Sequence, residues 1–139
     1  MPAINWTFLC DYAYVDSAGR ASIIRTFTFI RAPKLPFRYP QIFLALEYIA
    51  DVSEAFTLGA VITAPSGKQI AKVQLNRKAR SDKKGRVEKG VLPLGFYNCR
   101  FEEPGEHHVE ILVNERSVHY LPLMIQLKEK KKLPEKKTV

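Results

Sequence analysis

QIFLALEYIA, residues 41–50, decides how this chain is read, because it is apolar on both of its faces. Ile42, Leu44, Leu46 and Tyr48 take one parity, and Phe43, Ala45 and Ile49 take the other. Side chains alternate across a strand. A segment with apolar residues at both parities therefore reads as a strand at the centre of a packed β structure.

Outward from it, strand patterns fill most of the chain. Asn5–Val15 carries Trp6, Phe8, Cys10, Tyr12 and Tyr14 on one face and ends in the turn residues Asp16–Gly19. Ala21–Ile30 is rich in Ile, Thr and Phe, which suit a pleated surface. RAPKLPFRYP, residues 31–40, has three prolines, which give no amide donor to a ladder, so it reads as a crossing connection. Strands follow at Ala55–Thr63, Gln69–Asn76, Val91–Asn98, Glu106–Asn114 and Arg116–Leu127. In the last of these the apolar parity changes, which predicts a bulge near Pro122. Eight short strands with turn signals between them predict an all-β fold, an antiparallel β-sandwich of immunoglobulin-like type, with a closed barrel as the alternative.

The 139 residues form one domain, 46% hydrophobic and 26% charged, as expected of a globular chain. No apolar run reaches the ~20 residues of a membrane helix, and the N-terminus has no secretory signal pattern. A cytoplasmic protein without a membrane partner is the expectation. Cys10 and Cys99 are then expected as free thiols, with a disulfide between them the lesser alternative.

The net charge of +8 is unevenly placed. Residues 77–90, RKARSDKKGRVEKG, hold seven basic and two acidic residues, and residues 128–139 hold six and two. The rest has nine basic and ten acidic residues and is close to neutral. The sequence divides into a sandwich over 1–127, with a basic loop at 77–90, and a disordered basic tail over 128–139.

Two stretches carry a family resemblance. LCDYA (Leu9–Ala13) is followed by Gly19, Ile23-Ile24, Phe27 and a Pro-rich crossing. PGEHHVEILVNERSVHYLPL then closes the domain with Pro-Gly, an alternating strand, a polar turn and a Leu-Pro-Leu strand. In this the chain resembles a family of short uncharacterised bacterial proteins over residues 5–126, although 77–90 is richer in Lys and Arg than that family leads one to expect. The resemblance implies a β-sandwich of unassigned function and brings no catalytic residues with it.

Three sets of residues offer chemistry. Cys10 has no His or cation suggested beside it and sits on the face of Trp6, Phe8 and Tyr12, so it reads as a packed core thiol rather than a nucleophile. Asp11 faces the other way, toward a neighbouring backbone or Arg25. His108, Glu110 and His119 would share the outward face of the last hairpin if Asn114-Glu115 is a two-residue turn. Two histidines and a carboxylate suit a divalent metal, but a cross-strand Glu–His pair is the ordinary reading. Arg77, Lys78, Arg80, Lys83, Lys84, Arg86 and Lys89 could bind a polyanion such as nucleic acid. They lack stacking aromatics, and charge runs are usually solvated loops. Gly85 and Gly90 lack the phosphate-loop spacing.

The expectation is a non-enzymatic interaction module without a cofactor, presenting loops or an edge strand to a protein partner or to its own copies. Polyanion binding through the basic segments is the alternative, and a metal-dependent enzyme stands third.

Overall fold

The computed structural model describes residues 2–82 and 85–128. Among these residues nine strands form two sheets: β1 (Ala3–Val15), β2 (Ala21–Thr26), β3 (Phe29–Ala32), β4 (Phe37–Asp51), β5 (Phe56–Thr63), β6 (Gln69–Arg77), β7 (Val87–Phe101), β8 (Gly105–Val113) and β9 (Arg116–Leu127). One sheet has the order β2-β1-β4-β7 and the other β3-β9-β8-β5-β6, and the two pack as a sandwich. Two separate sheets replace the barrel alternative, and the strand order does not establish the immunoglobulin-like refinement. Of the basic tail expected over 128–139, all but Lys128 lies outside the described residues. No helix among the described residues is long and apolar enough to cross a membrane.

Gln41–Ala50 is central as read. β4 pairs with β1 on one side and β7 on the other. Its even residues Ile42, Leu44, Leu46, Tyr48 and Ala50 enter the core between the sheets. There they meet Phe56, Leu58, Ala60 and Ile62 of β5, Val109, Ile111 and Val113 of β8, and Leu123 and Ile125 of β9. Full burial of each such Leu, Ile or Phe contributes roughly 1.5–3 kcal/mol.

Four expectations need correction. Ala21–Ile30 is not one strand: it leaves the first sheet after Thr26 and joins the second at Phe29. Arg25 has φ 55°, the Phe27 amide donates to the Leu9 carbonyl of one sheet, and the Met124 amide donates to the Thr28 carbonyl from the other. β3 then runs parallel to β9, so among the described residues the sandwich is antiparallel in every pairing but this one.

The Pro-rich crossing is shorter than read, because Arg31-Ala32 end β3 and Phe37–Pro40 begin β4. Pro40 is tolerated because the β1–β4 pairing begins only at Cys10 and Phe43, leaving β7 as its sole neighbour. Opposite it, Asn98 has φ 53°, and both strands exchange faces there together. Phe37 and Tyr39 point inward before this position and Ile42 and Leu44 after it, matched by Phe101 and Cys99, then Phe96 and Leu94.

β7 starts at Val87, four residues before its apolar pattern, since Val87–Gly90 pair with Tyr48–Asp51. Finally, the bulge of β9 lies at Val118, between the pairs Leu112↔Ser117 and Ile111↔His119. Pro122 needs no bulge: the alternation that sends the Met124 amide to Thr28 turns residue 122 toward a side where no strand pairs.

The Tyr48 ring lies flat over Gly90, edge-on to Phe56 at 5.4 Å and under the Arg77 guanidinium at 5.3 Å. A Cβ at Gly90 would stand 2.5 Å from the Tyr48 Oη and 2.6 Å from its ring. Tyr48 is fully buried and cannot step aside. Gly90→Ala is therefore expected to destabilise the fold by about 1–3 kcal/mol, read as a lower urea midpoint at unchanged slope.

Candidate functional site

The outward aromatic face of β1 is the largest departure from the sequence reading. Trp6, Phe8, Cys10 and Tyr12 share one side of the strand, but it is the outer side of the four-stranded sheet, away from the sandwich core. Leu9 points the other way, into the core. Cys10 is still buried, within a small outer cluster of Ala13, Phe43 and Ala45 closed by Trp6 and Ile23. Its Sγ lies 3.6 Å from the Phe43 carbonyl. Burial raises its pKa, and burial pushes Cys99 in the inter-sheet core up to about 11. Both thiols are free and protonated, so neither is primed as a nucleophile.

Around this cluster the rings form a continuous row. Tyr14 and Tyr12 are 5.8 Å apart, Tyr12 meets Phe43 edge-on at 5.0 Å, and Phe43 meets Tyr97 at 6.0 Å. Trp6 and Phe8 add a second contact at 5.5 Å. The row crosses β7 where Gly95 leaves room: a Cβ there would lie 3.0 Å from both the Phe43 Cζ and the Tyr97 Oη. Phe8, Tyr12, Tyr14 and Tyr97 remain 46%, 42%, 44% and 62% exposed, with Ile24 of β2 beside them. A sheet covered on one face ordinarily alternates apolar-in and polar-out. Here β1 and β4 are apolar on both sides.

On the inner edge of β1, Asp11 pairs with Arg25 at 3.3 Å, as its position suggests, and accepts a hydrogen bond from the Tyr39 hydroxyl at 3.4 Å. Burial, then the Asp11 carboxylate, raises the Tyr39 pKa, so this phenol stays protonated. The three line a cleft of ≈ 340 Å³ with Phe27, Phe29 and Ile30. The carboxylate is engaged by both neighbours, which makes the cluster a brace between β1, β2 and β4.

The basic segment is no free loop. Arg80 and Ser81 amides donate to the Val52 carbonyl at 2.8 and 3.2 Å, the Val52 amide donates to the Arg86 carbonyl, and the Gly85 amide donates to Asp51. Glu88 takes Arg77 and Arg80 on its two oxygens, each at 3.3 Å, and its own side chain is only 19% exposed. Two of the seven cations are thus spent on one internal carboxylate. Lys78, Arg86 and Lys89 are exposed, and Lys83 and Lys84 lie outside the described residues.

The proposed metal trio is not brought together. The turn at Asn114-Glu115 has two residues, both with positive φ, and β5 anchors it through Thr57 and the Asn114 side chain. Past it, the Val118 bulge moves His119 opposite Ile111, while Glu110 faces Tyr120. His108 stacks on Tyr120 at 5.3 Å. Among the described residues no group of three or more His, Cys, Asp or Glu is placed to hold a metal ion.

His107, which alternation turns opposite to His108, is fully buried and edge-on to Phe101 at 5.3 Å. Its Nδ1 lies 3.1 Å from the Gly105 carbonyl, and its Nε2 has no partner among the described residues. The ring is therefore neutral with the proton on Nδ1, and burial lowers its pKa.

Two outcomes follow. A lowered folded pKa means that the unfolded chain takes up this proton first, starting near pH 6.5. Stability is thus expected to fall as pH drops below about 6.5, and His107→Leu is expected to remove that part of the slope in urea titrations from pH 7.5 to 5. Glu88→Gln is expected to cost about 1 kcal/mol and to speed amide exchange at Arg80, Ser81 and Gly85.

No curated protein matches the chain at a significant level. A model of a family of unknown function (DUF6941) matches residues 5–126, and the chain belongs to that family.

Proposed function

We propose that this member of a family without an assigned activity is a non-enzymatic interaction module, and that its docking surface is the outer face of the four-stranded sheet. The observation that carries the reading is the ring row Tyr14–Tyr12–Phe43–Tyr97, built on the buried Phe43 and exposed at its tyrosines, with Phe8 and Trp6 beside it. Tyr and Trp are over-represented at protein interfaces, since their rings bury much area for few rotatable bonds. These rings already hold one another in place, so little side-chain freedom remains to be lost on binding. The partner best matched to such a face is a protein that brings apolar and hydrogen-bonding groups to the tyrosine hydroxyls.

The alternative of polyanion binding through the basic loop is weakened by Glu88. A protein that binds phosphates through Arg77 and Arg80 must first break two ion pairs at a poorly exposed carboxylate. The sheet face adds to the loops and edge strands that the sequence offers as binding elements.

The test is a comparison of the native chain with Tyr12→Lys/Tyr97→Lys. Each substitution gives up a ring contact with Phe43, so stability is expected to fall by about 0.5–1.5 kcal/mol per site, leaving the chain folded. Bait purified from cells of the source is expected to retain one or more proteins that the double variant loses, identified by mass spectrometry. Self-association abolished by the variant would make the partner a second copy. Equal recovery by both baits would sink the reading, and so would salt-dependent DNA or RNA binding that the variant leaves intact.

A further inference from the structure

A second site lies where the two sheets are left open beside β1. Among the described residues, β2 pairs only with Cys10–Val15 of β1, and β3 only with Met124–Leu127 of β9. The chain between them crosses from sheet to sheet at Phe27-Thr28 and so closes only part of that side. Among the described residues, no strand pairs with Ala3–Leu9 on the side away from β4, nor with Arg116–Leu123 on the side away from β8. Between these two edges runs a groove of ≈ 510 Å³. Its walls are Phe8, Leu9, Phe27, Phe29 and Leu121, with threonines and Pro122, and none of its lining residues is charged.

The backbone decides what fits there. The Leu9 carbonyl turns toward β2, where it accepts from the Phe27 amide. Backbone groups alternate sides along a strand, so the amide and carbonyl of Thr7 turn the same way, into the groove. On the opposite wall Pro122 offers no amide. One wall is therefore an open ladder position and the other is a blocked one, a common guard on edge strands. The chain's own β2 shows the mode of filling, since it occupies the continuation of this cleft by antiparallel pairing to β1.

We propose that the groove receives an extended segment of a partner polypeptide, which adds to the four-stranded sheet as a strand beside Ala3–Phe8. Its backbone would pair with Thr7, and its uncharged, apolar side chains at alternate positions would enter between Phe27 and Leu121. The six residues Ala3–Phe8, with an irregularity between Ile4 and Trp6, give room for about 20 Å of strand. β-strand addition takes its affinity from such main-chain bonds and its selectivity from the pockets for alternate side chains. The site shares Phe8 with the aromatic face but rests on the open ladder, so it stands whether or not that face docks a protein.

The full chain is titrated with a fluorescein-labelled, acetylated and amidated heptapeptide of alternating Thr and Val. Binding is expected, with the Thr7 amide exchanging rapidly in the free protein and at least ten-fold more slowly in the complex. Methylating the amides on one edge of the peptide is expected to weaken binding at least ten-fold, with no change to the protein. Thr7→Pro is expected to abolish binding while the melting temperature stays within a few degrees, since β4 does not use this amide. Tyr12→Lys/Tyr97→Lys is expected to bind the peptide normally, which separates this site from the aromatic face. Absence of binding at millimolar peptide overturns the proposal, as does binding that neither methylation nor Thr7→Pro reduces. A Thr7 amide already protected in the free protein, in a dimer that Thr7→Pro dissociates, overturns it in favour of a second copy.

Discussion

The pairing of β4 with β7 is the constraint on which the rest depends. It runs unbroken in register from Phe37↔Phe101 to Asp51↔Val87 and forms the floor of the inter-sheet core. Its two irregularities are shared: at Pro40 and Asn98 both strands change faces at once, so the ladder bends without slipping. A one-residue slip would exchange core and solvent faces along a strand. Here the exchange happens in both partners together, and inward-facing residues remain opposite inward-facing residues.

From this ladder the two surfaces of interest follow. β7 brings Gly95 and Tyr97 beside Phe43, which sets the row of rings across the outer face. It brings Gly90 under Tyr48 and Glu88 within reach of Arg77 and Arg80, which fastens the basic segment to the end of the sandwich. The charge that dominates the net +8 is thus partly internal wiring, while the near-neutral body carries the exposed apolar surface.

The strand patterns were readable because burial on one face imposes a period of two, and β8 shows this best: Val109, Ile111 and Val113 are all fully buried. Pro40 and Pro122 misled the reading, since a missing amide is harmless wherever a strand has a neighbour on only one side. Which side is free depends on distant strands. His107 follows the same period of two: with His108 on the outward face, its neighbour turns into the core, although the sequence does not show that its Nε2 is left without a partner there. The metal trio failed on a single bulge at Val118, which local chemistry around Asn114-Glu115 does not announce.

By itself the sequence determined the all-β class, the central place of Gln41–Ala50, the alternation of most strands, and the family. Those properties are local: they follow from side-chain parity, turn residues and short quoted motifs. Only the tertiary structure decided which apolar face of β1 is inside, because Trp6, Phe8, Tyr12 and Tyr14 alternate as regularly outside a sheet as within one. It also decided that β2 and β3 divide one cleft between two sheets and leave the Thr7 edge open. Both outcomes are set by which strands lie alongside, and that information is spread over the whole chain.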